Sequence, residues 1–163
     1  MLTKIKVERF SVTSSRSLGE VLANLDSAVG HPDMNAFRKN VSAAKTASEM
    51  EQVIHAALGP SGFMQFISFD HGEVVHKGRA AGGPGIVRLV IGNPLIMRQM
   101  VEHVPDAGSY APVTILIDER PDGVHLSYDR MASFLAPYRS PEASRVAQDL
   151  DAKVVALLTT AAG

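Results

Sequence analysis

With 163 residues, 45% of them hydrophobic and 20% charged, the chain has the length and composition of a single globular domain and not those of a disordered segment; a domain of this size buries roughly 70% of the surface its unfolded form exposes. Sixteen basic against seventeen acidic residues give a formal net charge of −1, so no global field draws nucleic acid or an anionic membrane. The absence of cysteine removes disulfides, thiol nucleophiles, iron–sulfur ligands and cysteine-based zinc sites together, leaving only His and carboxylates as metal ligands.

The opening stretch "MLTKIKVERF" carries Lys4, Lys6 and Arg9 and lacks the apolar segment of a signal peptide. No apolar run approaches the length of a membrane span. The expectation is a soluble cytoplasmic protein with no nucleic-acid or membrane partner. Residues 4 to 12, "KIKVERFSV", alternate Ile5 and Val7 with charged positions, slip by one after Glu8, and continue with Phe10 and Val12, which predicts a half-buried first strand. Ser17-Leu18-Gly19-Glu20 is a capping-box pattern. Val21, Leu22, Leu25 and Ala28 follow it at helical spacing, predicting a helix that ends near Gly30.

His31-Pro32-Asp33 restarts the chain, with Pro expected in the first turn of a second helix carrying Met34, Phe37 and Val41. Thr46-Ala47-Ser48-Glu49 signals a third, with Met50, Val53, Ile54 and Ala57 behind it, and "GPSG" at 59 to 62 stops it. From Gly62 the period becomes two. "FMQFISF" sets Phe63, Ile67 and Phe69 on one side and Met64 and Phe66 on the other; Asp70-His71-Gly72 reads as a turn into a further strand, "EVVHK", and "GRAAGGPG" as a flexible connection into the strand "IVRLVI". In "VIGNPLIMRQM", Asn93 is a favoured N-cap and Pro94 a favoured first helical residue, so the stretch reads as a corner from strand to helix. Arg120-Pro121-Asp122-Gly123 predicts a tight hairpin between "APVTILIDE" and "GVHLSYD", and Ser140-Pro141-Glu142 opens a final helix with Ala143, Val146, Ala147, Leu150, Val154, Leu157 and Leu158 on its apolar face.

Among the six histidines, His55 and His103 fall on polar helix surfaces, His71 in a turn, and His76 and His125 in strands. His125 shares a strand face with Ser127 and Asp129, and across the hairpin Thr114, Leu116 and Asp118 are candidates for the same face. Asp118, His125 and Asp129 could therefore transfer a proton or hold a hard metal. A solvated polar sheet face would look the same. Ser127 lacks the strained elbow of a serine hydrolase, "GRAAGGPG" leads into a strand rather than a helix and so is not a phosphate loop, and no helix carries two histidines at metal-site spacing. No cofactor or bound metal is expected.

The segment "GFMQFISFDHG", followed by "VIGNPLIMRQMVEHVPDAGSYAPVTILIDERPDGVHLSYD", resembles the DUF302 family, whose structural type is the TT1751-like fold. Gly62-Phe63, Gly92-Asn93-Pro94, Pro105 and the Pro112-Val113-Thr114-Ile115 strand start carry the match, within residues 62 to 130. The resemblance implies a curved antiparallel sheet backed by helices, often as a homodimer, with no established catalytic residues to carry over. Residues 31 to 59 stand as a helical insertion relative to the shorter family pattern. The expectation is thus a single α+β domain over residues 1 to 163, a two-layer sandwich with a mainly antiparallel sheet of about six strands. Its function is read as that of a non-catalytic, homodimeric ligand-binding or interaction protein, with a small apolar molecule as the candidate ligand. The alternative is a small enzyme built on Asp118, His125 and Asp129.

Overall fold

The computed structural model describes residues 2–163. Among them are five strands, β1 (Arg9–Ser14), β2 (Met64–Asp70), β3 (Ile86–Gly92), β4 (Val113–Arg120) and β5 (Gly123–Asp129), and seven α-helices, α1 (Leu18–Ala28), α2 (Met34–Ala43), α3 (Ala47–Ala57), α4 (His71–Val75), α5 (Pro94–Val101), α6 (Met131–Leu135) and α7 (Pro141–Ala162). The strands form one antiparallel sheet in the order β1-β5-β4-β3-β2. Alternation decides which face is covered. Val113, Ile115 and Ile117 of β4 and Val124, Leu126 and Tyr128 of β5 are buried against Val21 and Leu25 of α1, Met100 of α5, and Ala147, Leu150, Val154 and Leu158 of α7. Each such Val, Leu, Ile or Met side chain contributes about 1.5–3 kcal/mol by leaving water.

Local chemistry sets the helix starts. Ser17 and Glu20 form the reciprocal capping box, the Ser17 hydroxyl accepting from the Glu20 N–H and the Glu20 carboxylate from the Ser17 N–H. Thr46 caps α3 by accepting from Glu49 N–H, and Ser140 caps α7 by accepting from Ala143 N–H. In α2 the cap is Asp33, whose Oδ1 accepts from Ala36 N–H at 2.7 Å, so Pro32 lies before the helix and not in its first turn.

Three further expectations are corrected. The sheet has five strands because "EVVHK" is not one: Asp70 Oδ1 accepts from Glu73 N–H at 2.8 Å and winds the chain into α4, with His76 at its C-terminal end. A well-placed cap outweighs the strand preference of Val74 and Val75, which remain exposed. The first strand begins at Arg9, not at residue 4, because its partner β5 ends at Asp129, the residue paired with Arg9. Beyond that point Glu8 is turned onto α6, its carbonyl accepting from Arg130 N–H. Finally, the alternation of "FMQFISF" breaks at a β-bulge between Gln65 and Ile67. The extra residue, Phe66, shifts everything after it by one, so Met64 is buried while Ile67 and Phe69 face solvent beside Val90 and Arg88.

Candidate functional site

The uncovered face of the sheet carries the polar members of each alternation: Arg9 and Ser11 from β1, Ser127 and Asp129 from β5, Thr114 and Asp118 from β4, and Arg88 from β3. Asp118, His125 and Asp129 do share this face, and Asp118 stands directly opposite His125 in the ladder. They do not converge. The Arg120 guanidinium donates to Asp118 at 2.6 Å, His125 Nε2–H donates to Asp122 Oδ1 at 2.8 Å, and Arg9 grips Asp129 through two bonds of 2.6 and 2.9 Å. The charges answer each other locally. Asp118 raises the basicity of the Arg120 guanidinium and Asp129 that of Arg9, in each case chiefly through the side-chain hydrogen bond, while the His125 bond holds the Asp122 carboxyl below its ordinary range. Among the described residues no three His or carboxylate side chains stand close enough to hold a metal ion.

Two clefts lie at the other end of the sheet, where β3 leaves and β4 enters. The first, about 450 Å³, opens on the uncovered face. Its floor includes Arg88, Thr114, Leu116 and Ser127, and its wall is the stacked pair Tyr110 and Phe134, whose ring centroids are 4.7 Å apart and whose planes differ by 11°. The second, about 190 Å³, lies between α5 and the sheet and is lined mainly by apolar groups of Phe66, Pro94, Met97, Met100, Pro112 and Leu150. Ala111, Pro112 and Val113 separate the two, lining both.

The Gly92-Asn93-Pro94 stretch is the corner its sequence predicts, and also one side of the second cleft. Asn93 Oδ1 accepts from Leu95 N–H at 2.9 Å, its Nδ2 donates to the Gly62 carbonyl at 3.1 Å, and its own carbonyl accepts from Ile96 and Met97. With Pro94 lacking an N–H, the donors of this helix start are engaged within the protein, which leaves little for an anion. Gly92 matters for space. A Cβ there would stand 3.2 Å from Pro112 Cβ and 3.5 Å from the Phe66 ring, both cleft-lining groups.

One buried carboxylate organises the wall of the first cleft. Asp151 of α7 is 2% exposed and accepts from the Tyr128 hydroxyl and the Met131 N–H, each at 2.7 Å, and from Ala132 N–H at 3.2 Å. Arg130 stands 3.4 Å from its other oxygen and bridges on to Glu8. Burial, reinforced by the Asp151 charge, pushes the Tyr128 phenol far above its ordinary value, so it stays a neutral donor. Sequence reasoning passed over Asp151, although its signal was present: an aspartate inside the apolar stripe of α7, beside Leu150 and one turn from Ala147 and Val154. Arg88, Tyr110 and Phe134 gave no such signal, being single residues brought together only by the fold.

The fold defines an α+β domain with an antiparallel sheet, helices chiefly on one face and an open cleft on the other. The chain belongs to the family described as "Domain of unknown function DUF302", whose model matches residues 37–161, a wider span than the residues 62 to 130 that hold the resembling motifs. A crystal structure of an uncharacterized conserved protein DUF302 from Bacillus stearothermophilus has the same fold, with a TM-score of 0.65 over 94% of this chain and 97% of that one at 13% identity. No curated protein matches the chain in sequence. Among the described residues no helix is long and apolar enough to cross a membrane.

Proposed function

We propose that this chain is a non-catalytic ligand-binding domain that acts as a cytoplasmic homodimer and holds a small apolar molecule behind the Asn93-Pro94 corner. The cleft of about 190 Å³ carries this reading: it is preformed, its lining is mostly apolar, and the Asn93 amide on its rim is already hydrogen-bonded. The separate pairing of Asp118, His125 and Asp129 favours binding over proton transfer, which needs an unengaged base within reach of substrate. A titration with indole followed by amide NMR should shift residues 95 to 100 saturably, and Met97→Trp should abolish the response by filling the cleft. Saturable shifts centred elsewhere, or an undiminished response in the variant, would remove the proposal.

The second copy is assigned to the margin of β2. This strand ends the sheet, its outer edge from Phe66 onward meets no further strand among the described residues, and Ile67 and Phe69 stand 46% and 38% exposed upon it. Antiparallel pairing of two β2 edges about a two-fold axis would satisfy both edges and bring those side chains together, a closed arrangement needing one self-complementary patch. Sedimentation equilibrium at micromolar concentration should give a dimer mass for the parent and a monomer mass for Ile67→Asp/Phe69→Asp. A parent monomer, or a double variant that stays dimeric, would overturn this assignment.

A further inference from the structure

We propose that the cleft on the uncovered sheet face is a second and separate site, built for a small aromatic carboxylate. Its chemistry is divided. At one end the Tyr110–Phe134 stack, with Met131 and Pro112 nearby, forms a broad apolar wall. At the other, Arg88 projects from the middle of β3 onto the open face, its guanidinium 5.6 Å from the centre of the Phe69 ring and donating to Thr114 Oγ1 at 3.2 Å. The volume of about 450 Å³ lies within the range of small-molecule sites.

Charge decides what the site should take. Of the two arginines that line this cleft, Arg9 is paired with Asp129, whereas among the described residues Arg88 has no carboxylate within ion-pair distance. Asp129, the acid lining this cleft, is occupied by Arg9 through both oxygens. Arg88 is therefore the uncompensated charge of this cleft, and a planar fork of donors beside the Thr114 hydroxyl matches a carboxylate in both charge and geometry. Thr114 of the neighbouring β4 supplies that hydroxyl, while Leu116, which pairs with Arg88 on one side and Ser127 on the other, separates the guanidinium from the more distant Ser127 hydroxyl of β5. A neutral apolar ligand would leave the guanidinium unanswered. A bare inorganic anion would leave the aromatic wall unused. A one- or two-ring aromatic carboxylate engages both.

The wall is also held in place. Tyr128 and Met131, which line the cleft, are tied to the same buried oxygen of Asp151, and the Tyr110 hydroxyl meets that of Tyr138 at 3.1 Å. Both anchors lie outside the cleft.

The site is distinct from the apolar cleft behind Asn93, and the test separates them. The full chain is titrated with benzoate, 2-naphthoate, 2-naphthamide and inorganic phosphate while amide and arginine side-chain NMR signals are followed. At least one of the two carboxylates should bind saturably with shifts at Arg88, Thr114, Leu116 and Ser127. 2-Naphthamide and phosphate should each bind at least about tenfold more weakly, as expected for loss of the charge-assisted bonds or of the apolar contact. Arg88→Gln, an exposed substitution that leaves the core untouched, should weaken the bound carboxylate by a similar factor, and Met97→Trp should leave it unchanged. Failure of both carboxylates to saturate, equal binding of 2-naphthamide, equal binding of phosphate, or indifference to Arg88→Gln would each overturn the assignment. Sensitivity to Met97→Trp instead would relocate the ligand to the apolar cleft.

Discussion

The two faces of one sheet are made from the same strands, yet they do different things. On β4, Val113, Ile115 and Ile117 are buried under the helices, while Thr114, Leu116 and Asp118, alternating with them, line clefts or hold ion pairs on the other side. The covered face is constrained by volume, since an interior packed at crystal density feels the loss of one methylene. The open face is constrained only by the partners its polar groups find. Volume therefore governs the covered side, and the local pairing of polar groups governs the open one.

The sharpest way to break this comparison is to truncate neighbours. Ile115→Ala should cost roughly 2–5 kcal/mol, because the removed atoms leave a cavity in the core beneath the helices. Leu116→Ala, one residue along and only half-buried, should cost roughly 1 kcal/mol or less. Urea denaturation of the two variants measures the difference directly. Equal losses would mean that the uncovered face is packed as an interior in solution.

Asp151 tests whether the covered side depends on polar order as well as on volume. Asp151→Ala strands the Tyr128 hydroxyl and the Met131 and Ala132 amides and leaves Arg130 without one of its two acids, for which a loss of about 3 kcal/mol is expected. Asp151→Asn, which keeps an acceptor oxygen, should lose less. If both variants melted with the parent, this network would be an incidental arrangement and the cleft wall would owe nothing to it.

Much of the covered side is legible in the sequence because its causes are local. The capping box at Ser17, the Pro-Asp turn before Gly123, the Asn93 cap and the α7 stripe each follow from residues within a few positions of one another. The misreadings occurred where a distant partner or a competing local signal decided. Residues 4 to 7 alternate like a strand, but β5 has already ended, and Val74-Val75 favour a strand, but Asp70 caps a helix first. The bulge at Phe66 is invisible to a period-two count. At the candidate site, the sequence put Asp118, His125 and Asp129 on one face correctly, yet could not show that Arg120, Asp122 and Arg9 engage them one by one. The Arg88 cleft draws on β3, β4, β5, α6 and the segment before β4, a convergence that no spacing rule encodes.

The corner joining the two faces should respond on an intermediate scale. Asn93→Ala removes the α5 cap and the bond to the Gly62 carbonyl, and a loss of about 1 kcal/mol is expected. Carboxylate binding at Arg88 should be retained in that variant, since Asn93 does not line the open-face cleft. An unchanged melting temperature together with lost indole binding would show that Asn93 serves the ligand and not the architecture.

The smallest effects should come from exposed carboxylates at opposite ends of the comparison, Glu20 in the helical layer and Asp122 in the hairpin. Glu20 is held below the ordinary glutamate range chiefly by the Ser17 hydroxyl and then by the Ser17 N–H, and Asp122 is lowered chiefly by its bond from His125. A folded-state pKa below the unfolded one means that the contribution is fully present above the ordinary carboxylate range and is lost as pH falls through the depressed value. Glu20→Gln and Asp122→Asn imitate the protonated forms. Each variant should melt slightly below the parent near neutral pH, and the gap should close as the solution is acidified and the parent's own carboxylates take up protons. Salt should shrink the Asp122 gap more than the Glu20 gap, because neighbouring charges, Arg120 among them, add to the lowering of Asp122, whereas Glu20 is lowered chiefly by hydrogen bonds to a neutral serine. A gap that persisted undiminished in acid would show that the amide had removed packing or geometry rather than the anion.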